Sequence, residues 1–186
     1  MEDGNFFLSA SKTGEVKIFF NNSFEEPYSQ FSTLTDNLSA ITFSDRYSTV
    51  VCGTSGCRVS IYSIHKAKFI NYIDLDDIPL TIQITKALGI IVICLQKEIV
   101  LTTINGFLIR KVKFDFEIDK VCTFAHKGID FLLMADTNGH VFSSEAFYPE
   151  KKSLCLTYKG KLERIYVYKN AITAITYNGD IYSSEF

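Results

Sequence analysis

Three histidines, five cysteines and scattered carboxylates are the side chains with which this chain of 186 residues could do chemistry. His65, His126 and His140 fall in predicted loop or turn text without metal-ligand spacing, so a metal site would need distant segments to converge. Cys52, Cys57, Cys94, Cys122 and Cys155 are odd in number and make no CxxC pair, which points to neither a disulfide framework nor a zinc site. Cys52, Cys94 and Cys122 stand in apolar strand text and read as small core residues. "GTSGC" (Gly53–Cys57) is neither the GxSxG elbow of a hydrolase nor a phosphate-binding loop, which would end in GK[ST]; it reads as a hairpin turn. The expectation is a chain with no catalytic residues, no metal and no cofactor.

What remains is a set of acids in short polar segments. Asp36 lies in "TDN", Asp76 and Asp77 in "LDDIP", and Asp115, Glu117 and Asp119 in "FDFEID". A fourth such segment, "YKGK", is basic through Lys159 and Lys161. Whether these residues meet depends on the elements that carry them.

Hairpin signals recur along the whole chain. Gly, Asn, Asp or Ser pairs between β-rich runs stand around Gly14, Gly56, Gly139 and Gly179, and "QKEI" around Lys97 has the same flanks without the glycine. The intervals are 42, 41, 42 and 40 residues. Each hairpin is preceded by an apolar run, such as "STVVC", "LGIIVICL", "DFLLMA" or "NAITAITY", and before that by another strand: "SAITF", "LTIQI", "DKVCTF" or "ERIYVY". A more polar strand follows, such as "KFINYIDL". Four strands per unit at a period of about 40–45 residues is the signature of a WD40-type propeller blade. The predicted fold is therefore all-β: a WD40-like β-propeller of about four to five four-stranded blades forming a single region over residues 1–186. The two inner strands of each blade should be covered on both faces, with alternation in the outer two. With no Trp, the repeats lack their Trp-Asp dipeptide, and the Gly-His pair and its hydrogen-bonded network are missing too. The chain enters in the second strand of a unit (Phe6–Ala10) and leaves after a third strand (Ile181–Phe186). Incomplete blades at both ends suggest the C-terminal part of a larger ring, with open edges that could pair with another copy.

In this architecture the loops from an outer strand to the next inner strand all open on one rim. Asp36, Asp76, Asp77, Asp115, Glu117 and Asp119 would then form an acidic face for a basic protein segment, with Asn138, His140 and Asp180 of the hairpin turns beside them. The plainer alternative is a set of solvated polar loops. Catalytic acids in a propeller would stand at the channel mouth, and the innermost predicted strands carry few.

Bulk properties narrow the partners. A formal charge of −2 with scattered Lys and Arg gives no nucleic-acid surface. The N-terminal text begins acidic and does not read as a signal peptide. The longest apolar stretch, "ALGIIVICL" (Ala87–Leu95), is about half the roughly twenty residues of a membrane span. A cytoplasmic protein, with at most indirect membrane association, is expected.

At "DRYSTVVCGTSGCRVSIYSI" (Asp45–Ile64), "INGFLIRKVKFDF" (Ile104–Phe116) and "DFLLMADTNGHVFSSEAFYPE" (Asp130–Glu150) the text resembles the C-terminal WD40 propeller of BEACH-domain proteins, the neurobeachin and Chediak-Higashi-type group. The likeness covers residues 38–186. It implies a non-catalytic protein–protein interaction scaffold of membrane and vesicle traffic, peripheral on vesicle or endosomal membranes through a larger parent protein. A stand-alone WD-repeat adaptor in a ubiquitin ligase or coat complex is the alternative, and a propeller hydrolase a third reading.

Overall fold

The computed structural model describes residues 6–33 and 36–185; Phe186, assigned above to the last strand, lies outside them. Among the described residues, eighteen strands form five antiparallel sheets. The first sheet holds β1 (Phe6–Ala10), β2 (Glu15–Phe20) and β3 (Ser29–Ser32). The second holds β4 (Leu38–Ser44), β5 (Thr49–Thr54), β6 (Arg58–Ser63) and β7 (Lys68–Asp74). The third holds β8 (Thr81–Ile84), β9 (Ile91–Cys94), β10 (Glu98–Thr102) and β11 (Leu108–Lys113). The fourth holds β12 (Ile118–His126), β13 (Ile129–Asp136), β14 (His140–Glu145) and β15 (Ser153–Thr157). The fifth holds β16 (Leu162–Tyr168), β17 (Ala171–Thr176) and β18 (Ile181–Glu185). In every sheet the strands pair in chain order, as short hairpin turns require.

All five predicted turns are present. The one without glycine, between β9 and β10, closes with the Leu95 N–H donating to the Glu98 carbonyl at 2.8 Å. Neither Gln96 nor Lys97 there has positive φ, which is why no glycine is needed. The same backbone bond ties four of the five turns to the strand exit beside them: Thr33 N to Gly14 O, Leu75 N to Cys57 O, Phe114 N to Lys97 O and Tyr158 N to Gly139 O, at 2.8 or 2.9 Å. The repeat read in the sequence is thus a repeat of hydrogen bonds.

Four apolar clusters lie between consecutive sheets. Val16 and Ile18 meet Val50 and Cys52; Val51 and Ile61 meet Ile91 and Ile93; Ile99 and Leu101 meet Leu132 and Met134; Leu133 and Val141 meet Ile172 and Ala174. Both faces of β5, β9 and β10 are therefore buried throughout. The fully covered pair in these sheets is the middle one, not the two inner strands predicted. The first strands β4, β8, β12 and β16 neighbour one another, and as inner sheet edges they remain only half-buried. In the first and fifth sheets even the middle strands β2 and β17 alternate, because a neighbouring sheet covers one face only.

Burial also settles the character of the cysteines. It pushes the Cys52 and Cys94 thiols up to about 12 and Cys155 to about 11, and raises that of half-buried Cys122. Thiols so placed stay protonated and are poor nucleophiles. Among the described residues no helix is long and apolar enough to cross a membrane.

Candidate functional site

Successive sheets splay where a last strand hands over to the next first strand. On that rim a cleft of about 510 Å³ opens between the third and fourth sheets. Asp77, Ile78 and Leu80 come from the β7–β8 loop, Gln96 from the β9–β10 turn, Glu117 from the β11–β12 loop, and Asp119 and Lys120 from β12. Backbone bonds hold the walls: Ile118 N donates to Gln96 O at 2.8 Å, Thr137 N to Glu117 O at 3.2 Å, and Leu80 N to Cys94 O at 2.9 Å. Asp77 Oδ1 accepts from the Ile78 N–H at 2.7 Å, fixing the turn of its own loop. Three carboxylates and one ammonium thus stand over exposed Ile78 and Leu80.

The other predicted residues are dispersed. Asp76 accepts from Lys111 Nζ at 2.9 Å; that hydrogen bond, then the lysine's charge, holds its carboxyl below the usual range. Asp76 therefore faces β11 as half of an ion pair and does not line the cleft. Asp115 is exposed outside the cleft lining. Asp36 packs on Gly56 of the β5–β6 turn, near Arg58, between the first two sheets. Asp180 is exposed in the β17–β18 turn, its N–H on Thr176 Oγ1 at 3.2 Å.

Asn138 and His140 belong to a network that the sequence did not disclose. Asp136 is buried and accepts from the Asn138 and His140 N–H groups at 2.9 and 2.8 Å and from His140 Nδ1 at 2.9 Å. Tyr158 Oη donates to the Asp136 carbonyl at 2.9 Å. Burial alone would raise the Asp136 pKa, but the His140 backbone and side-chain bonds, the His140 charge and the Asn138 N–H outweigh it and lower it. So a turn-stiffening network exists in the fourth sheet although the expected residue pairs are absent. It holds Thr137, a cleft residue, in place. The apolar pair Ile78 and Leu80 was also missed; its signal was two aliphatics within a loop otherwise marked by Asp and Pro.

No protein-family model and no curated protein matches the chain. Solved structures do. The chain is similar to the computationally designed Ika8 protein (TM-score 0.77, 13% identity, 100% of this chain and 57% of that one). It is similar to BBS1N, solved in complex with ARL6DN (TM-score 0.79, 12% identity, 97% and 60%). It also resembles BamB from Moraxella catarrhalis (TM-score 0.74, 15% identity, 98% and 55%). Likeness at such identities is one of fold, and the fold is that of a β-propeller. The chain spans between 55% and 60% of the length of these three structures.

Proposed function

We propose that this propeller is a non-catalytic interaction module whose acidic cleft takes a basic, partly apolar polypeptide segment. The observation that carries this reading is the meeting of Asp77, Glu117 and Asp119 with exposed Ile78 and Leu80 in one walled cleft. Carboxylates there attract and orient cations, while the aliphatic floor contributes contact area. BBS1N, similar in fold, is solved in complex with a protein partner, which supports a binding role. The BEACH-type likeness supports a setting in vesicle traffic, with a cytoplasmic propeller held near membranes by a larger scaffold. The uncovered faces of the first and fifth sheets support association with further blades or a second copy.

Fluorescence anisotropy with a labelled peptide of alternating Lys and Leu tests the cleft. The expected result is saturable binding, weakened about tenfold or more by Asp77→Lys with Glu117→Lys. Reversing Asp76 should change affinity far less, because Lys111 already neutralises it. Equal affinity of the double variant and the wild type would remove the cleft as the site.

A further inference from the structure

The opposite rim has the opposite character. There, in the second to fifth sheets, the first strand turns into the second, and those turns carry Arg46, Lys86, Lys127 and Lys169, at intervals of 40, 41 and 42 residues. All four are exposed. The propeller repeat therefore sets one cation in each of the second to fifth sheets, at equivalent positions along one rim. A cleft of about 390 Å³ joins three of the sheets there, and its only charged or titratable lining groups besides Cys122 and Tyr166 are Lys86, His126 and Lys169. No carboxylate lines it among the described residues.

Beside each cation in the last three turns stands a large apolar side chain that the fold leaves in solvent. Leu88 is 66% exposed, Ile129 48% and Tyr168 61%. These are projecting tips, not the walls of a groove. The Leu88 turn is also rigid. Asp130, buried in the neighbouring sheet, accepts from the Ala87 and Leu88 N–H groups at 2.9 and 2.8 Å. From the other side Arg46 Nη1 donates to the Lys86 carbonyl at 2.9 Å, and Tyr47 Oη lies 2.8 Å from that of Ala87. Outer loops on this rim add exposed Phe107 and Lys151, while Lys152 is half-buried over the rings of Phe114, Phe116 and Phe142; of the acids here, Glu150 is paired with Arg110 at 2.9 Å, Asp45 is half-buried beside Arg46, and Glu25, Glu26 and Glu145 are exposed.

We infer that this rim is a docking surface for an anionic lipid bilayer. Cations at equivalent positions along the rim meet the negative headgroups, and the apolar tips beside them enter the interfacial layer. A protein partner would need a socket for each of three projecting tips, whereas a bilayer deforms around them. Because the Leu88 turn is held from both neighbouring sheets, little ordering entropy is lost on binding there. The inference is independent of the acidic cleft, which faces away from this rim.

Vesicle flotation of the full chain tests it, with phosphatidylcholine vesicles containing phosphatidylserine against pure phosphatidylcholine vesicles. The expected result is binding to the anionic vesicles only. Lys86→Glu with Lys127→Glu and Lys169→Glu should weaken it at least about tenfold, since each lysine near an anionic surface is worth about fivefold. Leu88→Ser with Ile129→Ser should also weaken it, while Asp77→Lys should not; circular dichroism confirms that each variant is folded. Binding no stronger to anionic than to neutral vesicles would overturn the inference. So would a Leu88→Ser, Ile129→Ser protein that floats like wild type while soluble polyglutamate displaces wild type from the vesicles; that pattern assigns the rim to an acidic polypeptide.

Discussion

Two buried aspartates do more for the rims than the exposed acids do. Asp130 joins the fourth sheet to the β8–β9 turn of the third, and Asp136 gathers the β13–β14 turn around one carboxylate. Asp130→Ala leaves two N–H groups without their acceptor and should cost roughly 2–3 kcal/mol in urea unfolding. Asp136 carries a pH signature. Its folded pKa lies below its ordinary value, so the stability it contributes is present above that value and is lost as pH falls through the lowered folded pKa. Acid titration of unfolding free energy should therefore fall more steeply in the wild type than in Asp136→Asn in that acidic window. Glycines separate in the same manner. Gly139 and Gly179 both have positive φ, but a Cβ at Gly139 would meet the Tyr158 carbonyl oxygen, and at Gly179 it would meet nothing. Gly179→Ala should cost about 1 kcal/mol and Gly139→Ala clearly more, by the same unfolding measurement.

At the level of strands and sheets, stability follows coverage. Leu132 lies on β13 with neighbours on both sides, and its side chain is wholly buried in the cluster between the third and fourth sheets. Leu132→Ala should cost about 2–5 kcal/mol. Ile175 sits on the uncovered face of β17, half-buried although it is a middle-strand aliphatic. Its replacement by Ala should cost less than about 1 kcal/mol. Equal losses at the two positions would mean that the fifth sheet is covered in solution, and the mass of the particle would then show whether a second copy covers it.

Taken whole, the molecule is a succession of five packed sheets with two unlike rims. One holds an acidic cleft with an aliphatic floor; the other sets cations beside projecting apolar tips. The cores between sheets are apolar, and the ion pairs at Arg58–Asp74, Arg110–Glu150 and Lys111–Asp76 are exposed, so they contribute little to folding. Raising salt should therefore leave the thermal midpoint nearly unchanged while weakening peptide capture at the cleft and vesicle binding at the other rim. Calorimetry beside the two binding assays checks this separation.

The repeat, the hairpin turns and the all-β class are legible in the residues because they rest on local rules. Turn chemistry at Gly14, Gly56, Gly139 and Gly179 and apolar runs before each turn depend on neighbours a few positions away. Even the glycine-free turn at Lys97 was marked by its flanks. The identity of the acids as a rim followed from the repeat, but their grouping did not. Asp77 and Glu117 stand forty positions apart, and they share a cleft because of the angle between two sheets, which no local pattern encodes. Asp76, next in the chain to Asp77, is diverted by a lysine on β11 that only sheet pairing brings near. Asp130 reads as an ordinary strand residue until the Ala87 and Leu88 N–H groups, more than forty positions away, are in place, whereas Asp136 has its N–H partners two and four positions on and draws only the Tyr158 hydroxyl from afar. Local chemistry chose the strands and turns; the packing of one twisted sheet on the next chose which side chains meet, because that packing sums contacts from segments far apart in the chain.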